Sequence, residues 1–177
     1  MLINIWAGIA PIILNTPKGI NIIINSLHKP HPKGRFIHLV SDPRYIRSID
    51  NKIIPNQNLE DILIIAASAD NKMITKRFNN KLIYSLLGRD GFSSDISKGF
   101  YHGCSTVYIG IQTAIFLGAK EINIYGTKYS YGTGIERPNG LSSLPDPLIS
   151  ETQMVIDNYN KKIMEHNVKI KLIGTVL

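Results

Sequence analysis

Short runs of isoleucine, leucine and valine recur along the chain, separated by segments rich in polar residues, glycine and proline. Most runs are continuously apolar and do not alternate with polar residues, which is typical of strands buried on both faces of a parallel sheet. On this pattern we predict strands at 2–6, 20–25, 35–40, 61–66, 82–86, 121–125 and 168–173. The chain is therefore predicted to form an α/β domain, with a mostly parallel sheet and helices on both faces.

Helical patterns occur between several of these runs. Helices are predicted at 104–118 and 150–166, with shorter ones near 43–50 and 70–79. The first of them is apolar on nearly every side, so we expect it to be buried between layers. Ser105 or Thr106 can cap its first turn, and Gly118 can end it in the left-handed conformation.

The second long helix, 150–166, has polar residues on one side and apolar residues on the other. The apolar side should pack on the sheet and close it before the last strand. The residues assigned to that packing face are Met154, Tyr159, Ile163 and Met164.

Segments 88–103 and 130–147 lack hydrophobic periodicity and contain several glycine and serine residues. Long segments of this kind within a compact domain are typical of binding loops, lids or disordered chain. We expect 130–147 to be a lid that closes over a ligand and carries Tyr131 inward.

Length and composition favour one domain over residues 1–177. A chain of this length can bury roughly 70% of its unfolded surface, and its 44% hydrophobic and 19% charged residues are ordinary for a globular protein. No apolar run reaches the ~20 residues of a membrane span, and 1–14 is interpreted as a first strand and turn, not a signal peptide. The single cysteine, Cys104, allows no internal disulfide, so we expect a cytoplasmic location, including one peripheral to the inner membrane.

The formal net charge of +7 indicates attraction to anions, which include nucleotides, nucleic acid, acidic glycans and anionic membranes. The basic residues are scattered without a dense run, which favours a solvated basic surface over a nucleic-acid patch. No grouping of histidine, cysteine and carboxylates has metal-ligand spacing, so no metal site is predicted. A homo-oligomer is compatible with the sequence.

Residues 102–131 contain in order a loop, an apolar helix, a tight turn, a strand that stops at Gly126, and a polar tip. In open α/β sheets, ligands bind beyond the carboxyl ends of the strands. The segment 126–131 is therefore predicted to form one edge of a binding site. His102, beside the helix start, is a candidate general base or phosphate donor.

This stretch also resembles a known superfamily. A small-residue helix start, then Ala-x-x-Leu-Gly-Ala-Lys-Glu-Ile-x-x-x-Gly over 114–126 and a polar, aromatic tip, is similar to the signature of one Rossmann-like superfamily. That superfamily joins bacterial lipooligosaccharide sialyltransferases to the domain shared by archaeal hydroxymethylpterin pyrophosphokinases and flagellin-glycosylation motility accessory factors. Weaker matches lie upstream, where Asn25, Asp42 and Gly8 each follow a strand and Pro11 follows Gly8.

Several residues at these strand and helix ends fit a nucleotide. Gly8 suits a turn that approaches phosphate, although a turn that only needs small residues looks the same. Asn25 and Ser26 suit a ribose or base edge, or a local turn. At the helix start, the hydroxyls of Ser105 and Thr106 and the helix dipole favour phosphate.

The remaining candidates concern the reaction. Asp42 could hold a ribose hydroxyl, a metal or an acceptor hydroxyl, and it shares the role of candidate base with His102. The resemblance implies that Tyr129 and Tyr131 stabilise the departing phosphate. Lys128 stands where the family places an aspartate, and it would either hold that phosphate or mark a site that has lost activity.

The resemblance therefore implies a nucleotide-sugar-dependent, sialyltransferase-like glycosyltransferase for surface carbohydrate, with a CMP-sugar donor and no tightly bound cofactor. One alternative is a pterin-type pyrophosphokinase, which needs Mg²⁺. The other is a non-catalytic nucleotide-binding or partner-binding domain. Ile9 in the first turn, Lys128, and the lack of a histidine between His102 and His166 depart from the sialyltransferase pattern and favour that last alternative.

Overall fold

The isoleucine-rich runs form strands in the computed structural model of the protein. The structure describes residues 1–7, 18–25, 36–41, 62–67, 81–103, 105–126, 129–130, 134–135 and 146–173. The strands are β1 (Leu2–Trp6), β2 (Ile20–Ile24), β3 (Ile37–Val40), β4 (Ile62–Ala67), β5 (Lys81–Gly88), β6 (Phe100–Tyr101), β7 (Glu121–Tyr125), β8 (Tyr129–Ser130), β9 (Gly134–Ile135) and β10 (Lys169–Ile173). The helices are α1 (Thr106–Phe116) and α2 (Asp146–Glu165), and a 3₁₀ turn spans Ile96–Lys98.

Among the described strands, eight form one sheet in the order β10-β7-β1-β2-β3-β4-β5-β6. All seven neighbouring pairs are parallel, which confirms the predicted α/β class with a parallel sheet. From β1 the chain adds strands outward on one side as far as β6, then returns to the other side of β1 as β7 and β10. A separate antiparallel pair joins β8 to β9.

Both described helices pack on one face of the sheet, which we call the first face. Its core contains side chains from β1, β2 and β7 together with Ile109 of α1 and Ile163 of α2. Gly110 permits close packing, since a Cβ there would lie 3.0 Å from Ile24 Cδ1. Tyr108 and Tyr159 join the two helices, with ring centroids 4.3 Å apart.

The opposite, second face is also buried, with Trp6, Ile23, Phe36 and Tyr125 forming an apolar cluster. Burial on both faces explains why β1, β2, β3 and β7 appear in the sequence as continuous apolar runs. The short helices predicted near 43–50 and 70–79 lie outside the described residues.

Asparagines interrupt the apolar second face. Asn4 lies opposite Asn21 on β2 and Asn123 on β7, and we call these three residues the asparagine row. Asn123 Nδ2 donates to Asn4 Oδ1 at 3.1 Å, and Asn4 Nδ2 donates to Asn21 Oδ1 at 3.3 Å. All three side chains are buried, and these bonds replace part of the hydrogen bonding that water would provide, although Asn123 Oδ1 accepts none from a described residue.

The predicted packing face of the second long helix is wrong at two positions. Tyr159 and Ile163 are buried, but Met154 and Met164 are 56% and 76% exposed. At about 100° per residue, both methionines lie about 140° around the helix from Tyr159, one on each side. The helix also begins at Asp146, so Pro147 lies in its first turn, where proline is tolerated, and not in the predicted loop.

No helix in the described part of the chain is both long enough and apolar enough to cross a bilayer.

Candidate functional site

The strand order reverses between β1 and β7. From β1 the chain continues to β2 on one side, and beyond β7 it reaches β10 on the other, so the two connections diverge. The backbone N–H of Ala7 donates to Tyr125 O at 3.0 Å and extends the pairing by one residue. Gly126 then turns the chain with a φ of 76°. Such reversal points are the usual ligand sites of open α/β sheets.

An aromatic pair lies on the second face at the carboxyl ends of β1 and β7. Trp6 and Tyr125, the last residues of β1 and β7, stack with ring centroids 4.0 Å apart and an interplanar angle of 7°. Trp6 Nε1 donates to Asn21 Oδ1 at 3.1 Å, and burial raises the pKa of the Tyr125 phenol. Trp6 is the only tryptophan of the chain, so its fluorescence reports on this position alone.

A polar cluster joins the ends of β2 and β3 to the start of α1. Thr106 Oγ1 lies 2.6 Å from Ser41 Oγ and accepts from Asn25 Nδ2 at 3.5 Å. Asn25 has a φ of 54°, and its backbone N–H donates to Leu39 O at 2.8 Å. Asn25 Oδ1 is buried and accepts no hydrogen bond from any described residue. An acceptor in this state is ready for a donor from a ligand.

Ser105, not Thr106, caps α1. Its side chain accepts from the backbone N–H of Val107 at 3.2 Å, and its φ of −152° is the extended conformation of an N-cap residue. The Thr106 hydroxyl therefore remains available for the polar cluster. The positive end of the α1 dipole points toward the same strand ends, where it favours a negatively charged group.

His102 lies where the chain enters α1. Its backbone N–H donates to Gly88 O at 3.0 Å, and its carbonyl accepts from Ser105 N–H at 2.7 Å. The imidazole is half-buried, and burial, followed by the positive charge of Arg89, lowers its pKa. A histidine with a lowered pKa is neutral at physiological pH and can accept a proton.

Gln112 fixes the segment that carries His102. This fully buried side chain accepts from Ser93 N–H at 3.0 Å and Tyr101 N–H at 3.2 Å, and donates to Tyr101 O at 2.7 Å. The segment 88–103, predicted to be a loop of functional type, is thus fastened to α1. A lone glutamine in an apolar helix was the available sequence signal for this role.

The structure brings some of the predicted site residues together. Asn25 and Thr106 are in contact, with Ser105 next to them, as expected for groups that follow the carboxyl ends of parallel strands. Gly126 lies at the same edge of the sheet, two strands away from Asn25, or about 10 Å at the usual strand spacing. Ser41 is a member of the cluster that sequence reasoning missed, although it directly precedes the predicted Asp42.

Other predicted residues cannot be placed in this site. Gly8, Ser26, Asp42, Lys128 and Tyr131 lie outside the described residues, and for Tyr129 only its backbone position in β8 is described. Their assigned roles remain predictions. The described residues contain no group of three or more metal-binding side chains.

Comparison of the chain with models of protein families, with curated proteins and with solved structures finds no match. The resemblance to the sialyltransferase superfamily therefore remains an expectation.

Proposed function

We propose that this protein binds a nucleotide or nucleotide-sugar at the carboxyl edge of its sheet. The meeting of Asn25, Ser41 and Thr106 carries this proposal, because an amide and two hydroxyls from three separate elements converge there. Together they can donate and accept hydrogen bonds, as ribose hydroxyls and base edges require. Asn25 Oδ1 accepts no hydrogen bond from the described residues, which supports a ligand that donates a hydrogen bond at that point.

The surroundings favour the negative charge of such a ligand. α1 begins beside the polar cluster, so the positive end of its dipole faces the proposed phosphate position. The reversal of strand order between β1 and β7 lies one strand further along, and ligands of open α/β sheets usually bind at such a point. The overall charge of +7 attracts anions to the protein.

The transferase activity rests on the sequence resemblance. In this proposal Asn25, Asp42 and Ser105 hold the nucleotide, and a sugar acceptor displaces it directly at the anomeric carbon. The departing phosphate would be stabilised by Tyr129, Tyr131 and Lys128. Asp42 and His102 are the candidate bases, and the lowered pKa of His102 supports a neutral imidazole that can take the acceptor proton.

A second candidate is nucleotide binding without transfer. The Ser105 hydroxyl already caps α1, which reduces its use for a ligand, and Lys128 replaces the acidic residue of the family pattern. A pyrophosphokinase needs acidic ligands for Mg²⁺, and the described residues offer no such group in support.

Binding can be tested through Trp6 fluorescence. The unaltered protein is titrated with CMP, UDP, GDP, GTP and sugar-nucleotides, with and without Mg²⁺. With at least one of them we expect saturable quenching of the Trp6 emission or a shift of its emission maximum. Thr106→Val removes the hydroxyl of the polar cluster at nearly constant volume and should weaken binding about tenfold. Thr113→Val is the matched control, since the Thr113 hydroxyl donates to Ile109 O within α1 at 2.9 Å. No response to any nucleotide, confirmed by unchanged melting temperatures, would overturn the proposal.

Transfer is tested separately from binding. If Tyr131 assists the departing phosphate, Tyr131→Phe should lower the rate of CMP release from a CMP-sugar far more than donor affinity. A protein that binds the nucleotide but releases no CMP, with or without carbohydrate acceptors, is the non-catalytic domain.

A further inference from the structure

The edge of the sheet opposite the proposed nucleotide site carries neighbouring exposed lysines. The Lys120 N–H donates to Met1 O at 2.9 Å, and the Lys169 N–H donates to Lys120 O at 3.0 Å. Lys18 precedes β2 and, by the register of β1 and β2, lies beside Met1. The three lysines therefore extend across the amino ends of β10, β7, β1 and β2, and all three are exposed.

Large apolar side chains project from the same end of the molecule. α1 and α2 run antiparallel to the strands that follow them, so their carboxyl ends lie at this edge. Phe116 closes α1 and is 46% exposed, and Met164 near the end of α2 is 76% exposed. Met1, between Lys18 and Lys120, is 48% exposed. We call Met1, Lys18, Phe116, Lys120, Met164 and Lys169 the amino-end surface.

The charge around this surface is positive. Among the described residues, and with Lys162 and Lys171 at the border included, five lysines and two glutamates lie here, a net charge of +3. Both glutamates are already paired, Glu165 with Lys162 at 3.1 Å and Glu121 with Lys171. Among the described residues, no carboxylate lies within ion-pairing distance of Lys18, Lys120 or Lys169. Lys169 contributes, after Lys171, to the lowered pKa of Glu121, whereas Lys18 and Lys120 have no carboxylate partner among the described residues.

We propose that the amino-end surface docks on an anionic lipid bilayer. Lysines near a bilayer are attracted to its acidic headgroups, while phenylalanine and methionine side chains enter the boundary between headgroups and acyl chains. Nucleic acid could pair with the lysines equally well. Its phosphate backbone, however, offers no apolar surface for the exposed side chains of Met1, Phe116 and Met164. Docking in this orientation leaves the carboxyl edge open to soluble nucleotides.

The electrostatic part is tested by co-sedimentation of the full chain with vesicles. We expect binding to phosphatidylcholine vesicles that contain about one third phosphatidylglycerol, and none to phosphatidylcholine alone. The double variant Lys120→Gln/Lys169→Gln should weaken binding about 25-fold, at about fivefold for each lysine. Lys98→Gln is the control, because Lys98 is 79% exposed but lies beside β6 at the far side of the sheet. It should bind like the unaltered protein.

The apolar part is tested with two methionines of the same helix. Met164→Ala should weaken vesicle binding about fivefold, because its side chain loses contact with the acyl boundary. Met154→Ala removes another exposed methionine, 56% exposed and about 15 Å away from Met164 along α2, and should leave binding unchanged. Circular dichroism and melting temperatures verify that each variant folds.

Three results would overturn the proposal. The unaltered protein could fail to sediment with anionic vesicles, or the control variants could weaken binding as much as the surface variants. Alternatively, Lys120→Gln/Lys169→Gln could abolish binding to a short DNA duplex while Met164→Ala changes neither vesicle nor duplex binding, which would identify nucleic acid as the partner. None of these outcomes depends on whether the carboxyl edge binds a nucleotide.

Discussion

Both faces of the sheet are buried around β1, β2 and β7, yet different side-chain contacts stabilise the two faces. On the first face, β1, β2 and β7 present isoleucines to α1 and α2, and packing is almost entirely apolar. On the second face the same three strands present the asparagine row beside the stacked pair of Trp6 and Tyr125. The difference shows that a parallel sheet tolerates buried amides where neighbouring strands are in register, because each amide finds a partner on the next strand.

The largest expected effect comes from the first face. Ile5 is fully buried against α1, and Ile5→Ala should lower the free energy of unfolding by about 3–4 kcal/mol through loss of apolar contact and the cavity that remains. Urea denaturation measures the change. Ile5→Val is the matched control and should cost about 1 kcal/mol. Equal losses for the two variants would contradict the close packing described for this face.

A smaller loss is expected on the second face. Asn4→Ala should lower the free energy of unfolding by about 2–3 kcal/mol, because it leaves the buried Asn123 Nδ2 and the Lys18 carbonyl without their partner. A double-mutant cycle with Asn123→Ala should give a coupling energy of about 1 kcal/mol. If the stability losses of Asn4→Ala and Asn123→Ala add up to the loss of the double variant, the hydrogen bond between the two side chains contributes nothing to stability.

Tyr159 tests how far the first face depends on polar contacts. Its hydroxyl donates to Tyr101 O at 2.5 Å, and Tyr159→Phe should cost about 1 kcal/mol in thermal or urea unfolding.

The pH dependence of stability provides the companion measurement for Tyr159. Burial raises the pKa of Tyr159 in the folded state, so above about pH 10 the unfolded chain loses this proton and the folded chain keeps it. Stability should therefore fall as the pH rises above about 10. Tyr159→Phe should reduce that fall, and an unchanged alkaline profile would show that the phenol titrates freely.

The smallest effect concerns His102, at the margin of the first face. Its folded-state pKa is lowered, so below about pH 6.5 the unfolded chain takes up a proton that the folded chain does not. Stability should decrease slightly as the pH falls through that value, and in His102→Gln this decrease should be absent. Titration of the ring by NMR gives the direct measurement, and a pKa at or above 6.5 would contradict the prediction.

Much of the fold could be predicted from local patterns. Apolar runs located β1, β2, β3, β4, β5, β7 and β10 to within a few residues. In β1, β2, β3 and β7 nearly every residue is buried, which explains the continuous runs, whereas β10 at the edge of the sheet is largely exposed. Gly118, with a φ of 84°, and Gly126 end α1 and β7 as expected, because glycine adopts the left-handed conformation without strain. β6 was missed, since two residues are too short to show any period.

The candidate site could be predicted only in part. Asn25, Thr106 and Gly126 were recognised because polar residues and glycine follow apolar runs at known ends of strands and helices. Ser41 and Gln112 were not, because a single hydroxyl or amide has no characteristic spacing and acquires its partners only on folding. Met154 and Met164 were assigned to the core on hydrophobicity, but their positions around α2 decide their exposure.

The sequence by itself determined the α/β class, the ends of most elements and the polar residues that follow them, because these depend on side-chain period and backbone preference over a few positions. Only the tertiary structure decided the strand order. That order places Ser41 against Thr106, aligns Asn4 with Asn21 and Asn123, and brings Lys18, Lys120 and Lys169 to one edge. These contacts join residues far apart in the chain, so they depend on which strands pair and in which register, and no local pattern contains that information.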